Sequence, residues 1–202
     1  VWDEYAHAIE YLVYARLQQG DDAAATAQVR RLQATTRLEP SFKTAFHLAS
    51  TPARLALERQ DWAAAAALVP RTPATVDWDR FPWPEATARF AKGLGLGRLG
   101  RAEEAGEELA RLHTLEERMH VAGETLFERS IRVMRLELEA WMAQEAGDGA
   151  TALATLRAAA VLEADTPKHA VTPGPTLPAH EQLGELLMLQ HQPAAARAAF
   201  AD

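Results

Sequence analysis

Three side chains in the segment HTLEERMH have the chemistry to bind a divalent metal. His113, Glu117 and His120 are spaced four and three residues apart, so on a helix they would share one face. Imidazole nitrogens and carboxylate oxygens are common ligands of zinc and related ions. The segment departs from the H-E-x-x-H pattern, because Thr114 follows His113, and no further ligand can be nominated. The sequence favours a charged face exposed to water and no bound cofactor, with these residues as one set of candidate metal ligands.

Other patterns typical of catalysis fail on their context. The serines that could act as nucleophiles are Ser41, Ser50 and Ser130, and none lies in a G-x-S-x-G elbow. The glycines of AKGLGLGRLG, residues 91–100, look like a phosphate-binding loop, but such a loop follows a strand and these glycines lie inside a helical pattern. Close packing between helices is the better explanation of Gly93, Gly95 and Gly97.

Composition excludes several classes of function. The 202 residues include 21 Lys and Arg against 28 Asp and Glu, which gives a formal net charge of −7. A nucleic-acid-binding domain needs a basic surface, so a nucleic acid is not the expected partner. The absence of cysteine removes disulfides and thiolate chemistry. No apolar run approaches the roughly 20 residues of a membrane span, so no membrane partner is expected.

An internal repeat predicts how the helices are arranged. The composition, rich in Ala, Leu, Arg and Glu, favours helices over strands. Short turns recur at residues 20, 60, 100, 147 and 191, at spacings of 40, 40, 47 and 44. Five residues after each turn stands an alanine: Ala25, Ala65, Ala105, Ala152 and Ala196. A small residue is needed where two antiparallel helices approach closely. The sequence therefore predicts one domain of five helix pairs, about 2–37, 41–69, 84–120, 123–164 and 177–201.

The repeat resembles the tetratricopeptide repeat family. In the last copy Leu183, Gly184, Leu187, Ala196 and Phe200 stand at the spacing L-G-x2-Y…A-x3-F, with Leu in place of Tyr. The resemblance implies an all-α superhelix, or α-solenoid, whose first helices line a concave face that binds a protein or peptide. The period is longer than the usual repeat of about 34 residues. The chain also resembles the C-terminal part of a longer bacterial multi-repeat protein, since it begins without Met and stops inside a predicted helix.

The resemblance implies that the groove is lined by residues thirteen, ten and six positions before each turn. The candidates are His7, Glu10, Tyr14, His47, Ser50, Arg54, Phe90, Glu137, Trp141, Glu181 and Glu185, together with Thr87, Leu94, Met134 and Pro178. Such a mixed surface suits an extended peptide with an apolar anchor and a polar or basic part. It lacks the Lys- and Asn-rich set of family members that clamp a C-terminal carboxylate. Alternatively, the longer repeat rotates its helices differently and some of these residues belong to the core.

A paired-histidine site is a further hypothesis. His7 and His47 hold equivalent repeat positions on adjacent first helices. Packed helices are about 10 Å apart, which is long for shared metal coordination without help from Glu10 or Tyr14.

Two Pro-rich connections, 70–83 and 165–178, cannot be helical throughout. The first carries Trp78, Phe81 and Trp83 in a chain otherwise poor in aromatic residues. These side chains either pin the connection onto neighbouring helices or line a ligand site or partner surface.

The sequence thus predicts a protein- or peptide-binding scaffold and not an enzyme. The alternative is a metal- or small-molecule-dependent enzyme or binder that uses a helical-repeat shell. A third hypothesis is a homo-oligomer that forms through the terminal helices.

Overall fold

The computed structural model describes residues 3–170 and 174–201, which fold into ten α-helices and no strand. The helices are α1 (Asp3–Gln18), α2 (Asp22–Gln33), α3 (Phe42–Glu58), α4 (Trp62–Ala66), α5 (Pro82–Arg98), α6 (Ala102–Val121), α7 (Thr125–Glu145), α8 (Gly149–Ala164), α9 (Ala179–Leu189) and α10 (Pro193–Ala199). A single turn of 3₁₀ helix, Trp78–Arg80, precedes α5. The prediction of an all-α fold is confirmed.

The first helix of every predicted pair ends in the same way. The residues at the five turns, Gly20, Gln60, Gly100, Gly147 and His191, have φ values of 69°, 50°, 72°, 83° and 58°. At each turn the amide of the next residue donates to the carbonyl five residues earlier, as from Asp21 to Arg16 at 2.9 Å. This is the Schellman arrangement, in which one left-handed residue allows the chain to satisfy the last carbonyls of a helix.

Three of the second helices begin at an aspartate cap. Asp21, Asp61 and Asp148 each accept a hydrogen bond from the backbone amide three residues later, at 3.0, 2.9 and 3.1 Å. Such a cap satisfies one of the free amides at the start of a helix. Pro193 lies in the first turn of α10, where its missing N–H costs nothing.

The small residues of the repeat lie at the contacts between helices. The five alanines that follow the turns are all 0% exposed. Gly184, seven residues before the last turn, shows why size matters, because a Cβ there would lie 2.4 Å from the ring of Phe200. An apolar residue also stands nine positions after each turn, and two of these five residues are exposed. Val69 is exposed because α4 ends at Ala66, before the predicted helix end at 69, and Phe200 is half-exposed.

The first helices of four pairs lie side by side. α1 packs on α3, α3 on α5, and α5 on α7, while α2, α6 and α8 pack on their own first helices and α4 packs chiefly on α5. The fifth pair is attached differently, since α9 packs mainly on α8 and α10 and only slightly on α7. The buried face of α3, α5 and α7 therefore surrounds a space that the second helices do not fill.

Candidate functional site

A cavity of about 260 Å³ lies between the first helices and the Pro-rich segment 165–178. The helical residues that line it are Phe46, Trp83, Thr87, Phe90, Ser130, Val133, Met134, Glu137 and Glu163. The segment contributes Thr166, Pro167, Lys168 and His169 and then residues 174–177, which run across the side that the helices leave open. These stretches of the Pro-rich connection, described as far as residue 170 and again from residue 174, cover the cavity.

Hydrogen bonds from two helices hold the covering segment in place. Arg129 of α7 donates from Nε to the Thr166 hydroxyl oxygen at 3.1 Å. Gln182 of α9 donates from Nε2 to the Leu177 carbonyl oxygen at 3.1 Å. The two ends of the segment are thus fixed to α7, which borders the cavity, and to α9, which does not.

Aromatic rings form one wall of the cavity. The Trp83 ring stacks on Phe46 at 4.8 Å and on Phe127 at 5.1 Å between ring centroids. His169 of the covering segment lies 5.2 Å from Trp83. Burial lowers the pKa of His169, which favours its neutral form. The wall offers flat, apolar faces to any molecule inside.

Two carboxyl groups face the aromatic wall from α7 and α8. Glu137 is 1% exposed, and its Oε1 has no hydrogen-bond partner. Burial raises the pKa of Glu137 well above its ordinary value, and the nearby Glu163 raises it further. Burial also raises the pKa of Glu163, whose Oε2 accepts a hydrogen bond from the Ala179 amide at 2.8 Å. Among the described residues, no Lys or Arg forms an ion pair with either carboxyl group.

A second buried polar group lies between α1 and α3. His7 Nδ1 is 3.2 Å from His47 Nε2, His47 Nδ1 is hydrogen-bonded to the Glu10 carboxylate, and Arg54 Nε is 3.5 Å from Glu10 Oε1. The two imidazole rings are 5.0 Å apart. The two histidine side chains are thus much closer than the spacing of about 10 Å expected for packed helices. They come this close because both side chains extend into the interface between α1 and α3.

Most polar atoms of this histidine group have partners within the chain, but Glu10 Oε1 and Arg54 Nε, which lie 3.5 Å apart, form no hydrogen bond. The Glu10 carboxylate accepts from His47 Nδ1, so His47 Nε2 is left to pair with His7. Arg54 also donates to Glu58 Oε1 at 2.9 Å and to the Gly174 carbonyl at 3.2 Å, which ties the group to the covering segment. In the described part of the chain no group of three or more His, Asp or Glu side chains has an arrangement that could hold a metal ion.

The predicted groove residues differ in how far they are exposed to solvent. Nine of them are buried, so the prediction that they form an exposed stripe is wrong for these: Glu10, His47, Ser50, Arg54, Thr87, Phe90, Leu94, Glu137 and Trp141. His7 and Glu185 are half-buried, and Tyr14 and Glu181 are exposed. The reason is that adjacent first helices pack with these faces together and that residues 166–169 and 174–177 cover what remains. Phe90 and Glu137 still line the enclosed space.

Two of the buried candidates, Trp141 and Ser50, differ in their polar contacts. Trp141 donates from Nε1 to Gln182 Oε1 at 2.9 Å and lies beneath the Arg98 guanidinium at 3.9 Å. Ser50 is 0% exposed and its hydroxyl has no hydrogen-bond partner. Glu185, at the edge of this region, is hydrogen-bonded to Gln60, and burial raises its pKa.

The three aromatic residues of the first connection lie in two different places. Trp78 and Phe81 pack into the apolar cluster beneath α1 and α3, and Trp78 Nε1 donates to the Pro73 carbonyl at 3.0 Å. These two residues pin the connection to the helices. Trp83 instead stands at the start of α5 and lines the cavity.

The candidate metal ligands of α6 point toward separate partners. The His113 side chain is 59% exposed and lies 3.7 Å from Glu139, and the His120 side chain is 66% exposed and lies 3.4 Å from Glu128. Glu117 is exposed between them. The arrangement matches the charged face that the sequence favours, since each histidine pairs with a carboxylate of α7.

Sequence reasoning missed Glu163 and the covering segment as parts of one site. A signal for Glu163 exists, because it is one of only two charged residues between positions 149 and 164, in a helix otherwise composed of small and apolar residues. No signal shows where the Pro-rich segment packs, since that depends on contacts with residues far away in the chain.

No family model, curated protein or solved structure matches this chain. Within residues 3–170 and 174–201, none of the helices has the length and apolar character needed to cross a lipid bilayer.

Proposed function

We propose that this chain is a tetratricopeptide-like helical-repeat domain that binds a small organic molecule in the cavity beneath segment 165–178. The superhelical part of this proposal is supported by the side-by-side packing of α1, α3, α5 and α7 and by the common turn geometry of all five pairs. The binding part rests on the cavity itself.

The observation that carries the proposal is a polar atom left unsatisfied inside an apolar enclosure. Glu137 Oε1 is buried without a hydrogen-bond partner in a cavity walled by Phe46, Trp83 and Phe90. An unpaired buried polar group costs about 1–3 kcal/mol, so a ligand that satisfies it would gain that free energy. Apolar walls with a few placed polar groups are typical of small-molecule sites.

The size and enclosure of the space favour a small ligand over an extended peptide. At about 260 Å³ the cavity is near the lower end of ligand pockets, which begin at about 300 Å³. A peptide in the concave face would need the groove candidates to be accessible, and nine of the fifteen are buried. The proposed function therefore keeps the binding role implied by the repeat, with a small molecule as the ligand in place of a peptide.

A fragment screen by ligand-observed NMR on the full chain tests the proposal. Filling the cavity with Ser130→Phe, whose side chain enters from α7, should weaken binding of the hits at least about tenfold. Thr114→Phe, on the exposed face of α6, is the matched control and should leave binding unchanged, with both variants helical by circular dichroism. The proposal fails if no fragment binds the wild type, or if hits bind Ser130→Phe as well as they bind the wild type.

A further inference from the structure

The charges around the cavity are unbalanced. Glu137 and Glu163 both face the interior, and no described Lys or Arg pairs with either of them. Lys168 lies at the exposed rim, and burial lowers the pKa of His169, so neither places a fixed positive charge at Glu137. His180 is close enough to Glu163 to lower its pKa but has no such effect on Glu137. The interior therefore has acidic groups and lacks a counter-charge.

The aromatic wall, like the two acidic groups, favours a positively charged ligand. The face of an aromatic ring carries negative electrostatic potential, and Trp attracts a cation more strongly than Tyr or Phe does. Trp83 is 8% exposed and is held by its stacking on Phe46 and Phe127, so its ring position is fixed before any ligand arrives. Rings fixed beforehand lose little conformational entropy on binding.

Other classes of ligand fit the interior less well. An anion would meet two carboxyl groups and the negative ring faces, and each contact would be repulsive once a carboxyl ionises. A neutral apolar molecule would fill the space but leave Glu137 Oε1 without a partner. An ammonium group satisfies that oxygen and also gains from the aromatic wall.

We propose that the cavity binds an organic ammonium ion, whose nitrogen donates to the Glu137 carboxylate and whose apolar part packs against Trp83, Phe46 and Phe90. This inference rests on the proposed function of the cavity as a ligand site. Binding of the cation is coupled to ionisation of Glu137, so one proton leaves the protein when the ammonium ion enters.

Three probes of one shape and different charge test the inference by isothermal titration calorimetry on the full chain: benzylammonium, benzyl alcohol and benzoate. Benzylammonium should bind at least about tenfold more tightly than benzyl alcohol, and benzoate more weakly than either. In Glu137→Gln the affinity for benzylammonium should fall to that for benzyl alcohol, while the alcohol's affinity stays unchanged. Glu145→Gln, at an exposed carboxylate of the same helix, should bind all three probes as the wild type does.

Proton release gives a second readout that needs no variant. Titrations of the wild type near pH 6, in two buffers of different ionisation enthalpy, should show a proton released with benzylammonium and none with benzyl alcohol. The ammonium inference is overturned if the alcohol binds as tightly as the cation, if Glu137→Gln keeps the preference for the cation, or if no proton is released. Fragment binding that Ser130→Phe abolishes, with no preference for cations, would overturn this inference and leave the cavity as a ligand site.

Discussion

Glu10 and Glu137 hold the same position in the repeat, ten residues before the turn, and both are buried, yet their surroundings are opposite. Glu10 is hydrogen-bonded to His47 and lies 3.5 Å from Arg54. Glu137 Oε1 has no hydrogen-bond partner, and Glu163 is the neighbouring charge. The same backbone position thus carries a closed charge network in one region and an acid without a counter-charge in the other.

The next first helix along the chain accounts for this difference. Positions thirteen and six residues before the turn hold His47 and Arg54 in the second pair, and both meet Glu10. In the fifth pair the same positions hold Pro178 and Glu185. In addition, α9 packs on α8 more than on α7. Two residues of the neighbouring copy, together with the different packing of α9, therefore decide whether the acid at this repeat position has charged partners.

The largest expected effect comes from removing the charge of Glu10. Glu10→Gln should destabilise the protein by about 3–5 kcal/mol, because it leaves the buried His47 without its carboxylate and Arg54 with the Glu58 carboxylate alone. Glu137→Gln should change the free energy of unfolding by less than about 1 kcal/mol near pH 6, since burial favours the protonated carboxyl, which an amide resembles. Urea denaturation of both variants measures the difference. Equal losses at the two positions would contradict the comparison.

The contrast between Glu10 and Glu137 assumes that the helices in both regions are tightly packed. Substitutions at two glycines of α5 test the packing in the region of the cavity. A Cβ at Gly95 would lie 2.5 Å from the Ala66 backbone nitrogen, so Gly95→Ala must push α4 and α5 apart. We expect a loss of about 1–3 kcal/mol and weaker ligand binding. A Cβ at Gly97 would have its nearest neighbouring atoms at 3.8 and 3.9 Å, which is ordinary van der Waals contact. Gly97→Ala, the matched control, should instead stabilise the helix by about 1 kcal/mol.

Thermal unfolding of these two variants separates packing from helix propensity. If Gly95→Ala were stabilising like Gly97→Ala, the close approach of α4 and α5 would be wrong.

The dependence of stability on pH sharpens the contrast further. Burial raises the pKa of Glu137 above its unfolded value of about 4.3. The neutral form is therefore favoured in the folded state, and its contribution is complete below a pH of about 4.3 and is lost as the pH rises through the folded pKa. Across that window the wild type should lose up to about 1.4 kcal/mol per pH unit relative to Glu137→Gln. Burial also raises the pKa of Glu181 and Glu185, but these groups titrate in both proteins and cancel in the difference. Glu163, whose charge raises the pKa of Glu137, is coupled to it and therefore belongs to the measured difference.

Urea denaturation at several pH values between about 4 and 8 gives this difference directly. A constant gap between wild type and Glu137→Gln over that range would mean that Glu137 titrates alike in the folded and unfolded states.

Local patterns in the sequence were sufficient for much of the fold. The turns at residues 20, 60, 100, 147 and 191 and the buried alanines follow from spacing alone, because a helix–turn–helix unit is closed by nearby residues. The packing glycines were also identifiable, since Gly93 and Gly95 would each bring a Cβ within 2.7 Å of a neighbour, although Gly97 would not.

The site was predictable only in part, because its enclosure depends on distant contacts. Phe90 and Glu137 were identified by repeat position and do line the cavity. Their burial was not predictable, since it requires residues 165–178 to pack against helices far earlier in the chain. The bond from Arg54 to the Gly174 carbonyl spans 120 residues. Periodicity reports which residues share a helix face and carries no information on what covers that face.

The smallest expected effect concerns the exposed side of the Glu10 network. The Arg54 guanidinium lies 5.6 Å from the centre of the Tyr14 ring. Tyr14→Leu should cost about 0.5–1 kcal/mol through the lost cation–π contact, whereas Tyr14→Phe keeps the ring and should cost almost nothing. A double-mutant cycle with Arg54→Met measures the coupling between the two side chains. If Tyr14→Leu costs as much in the Arg54→Met background as in the wild type, the ring does not stabilise Arg54, and Glu10 relies on buried partners alone.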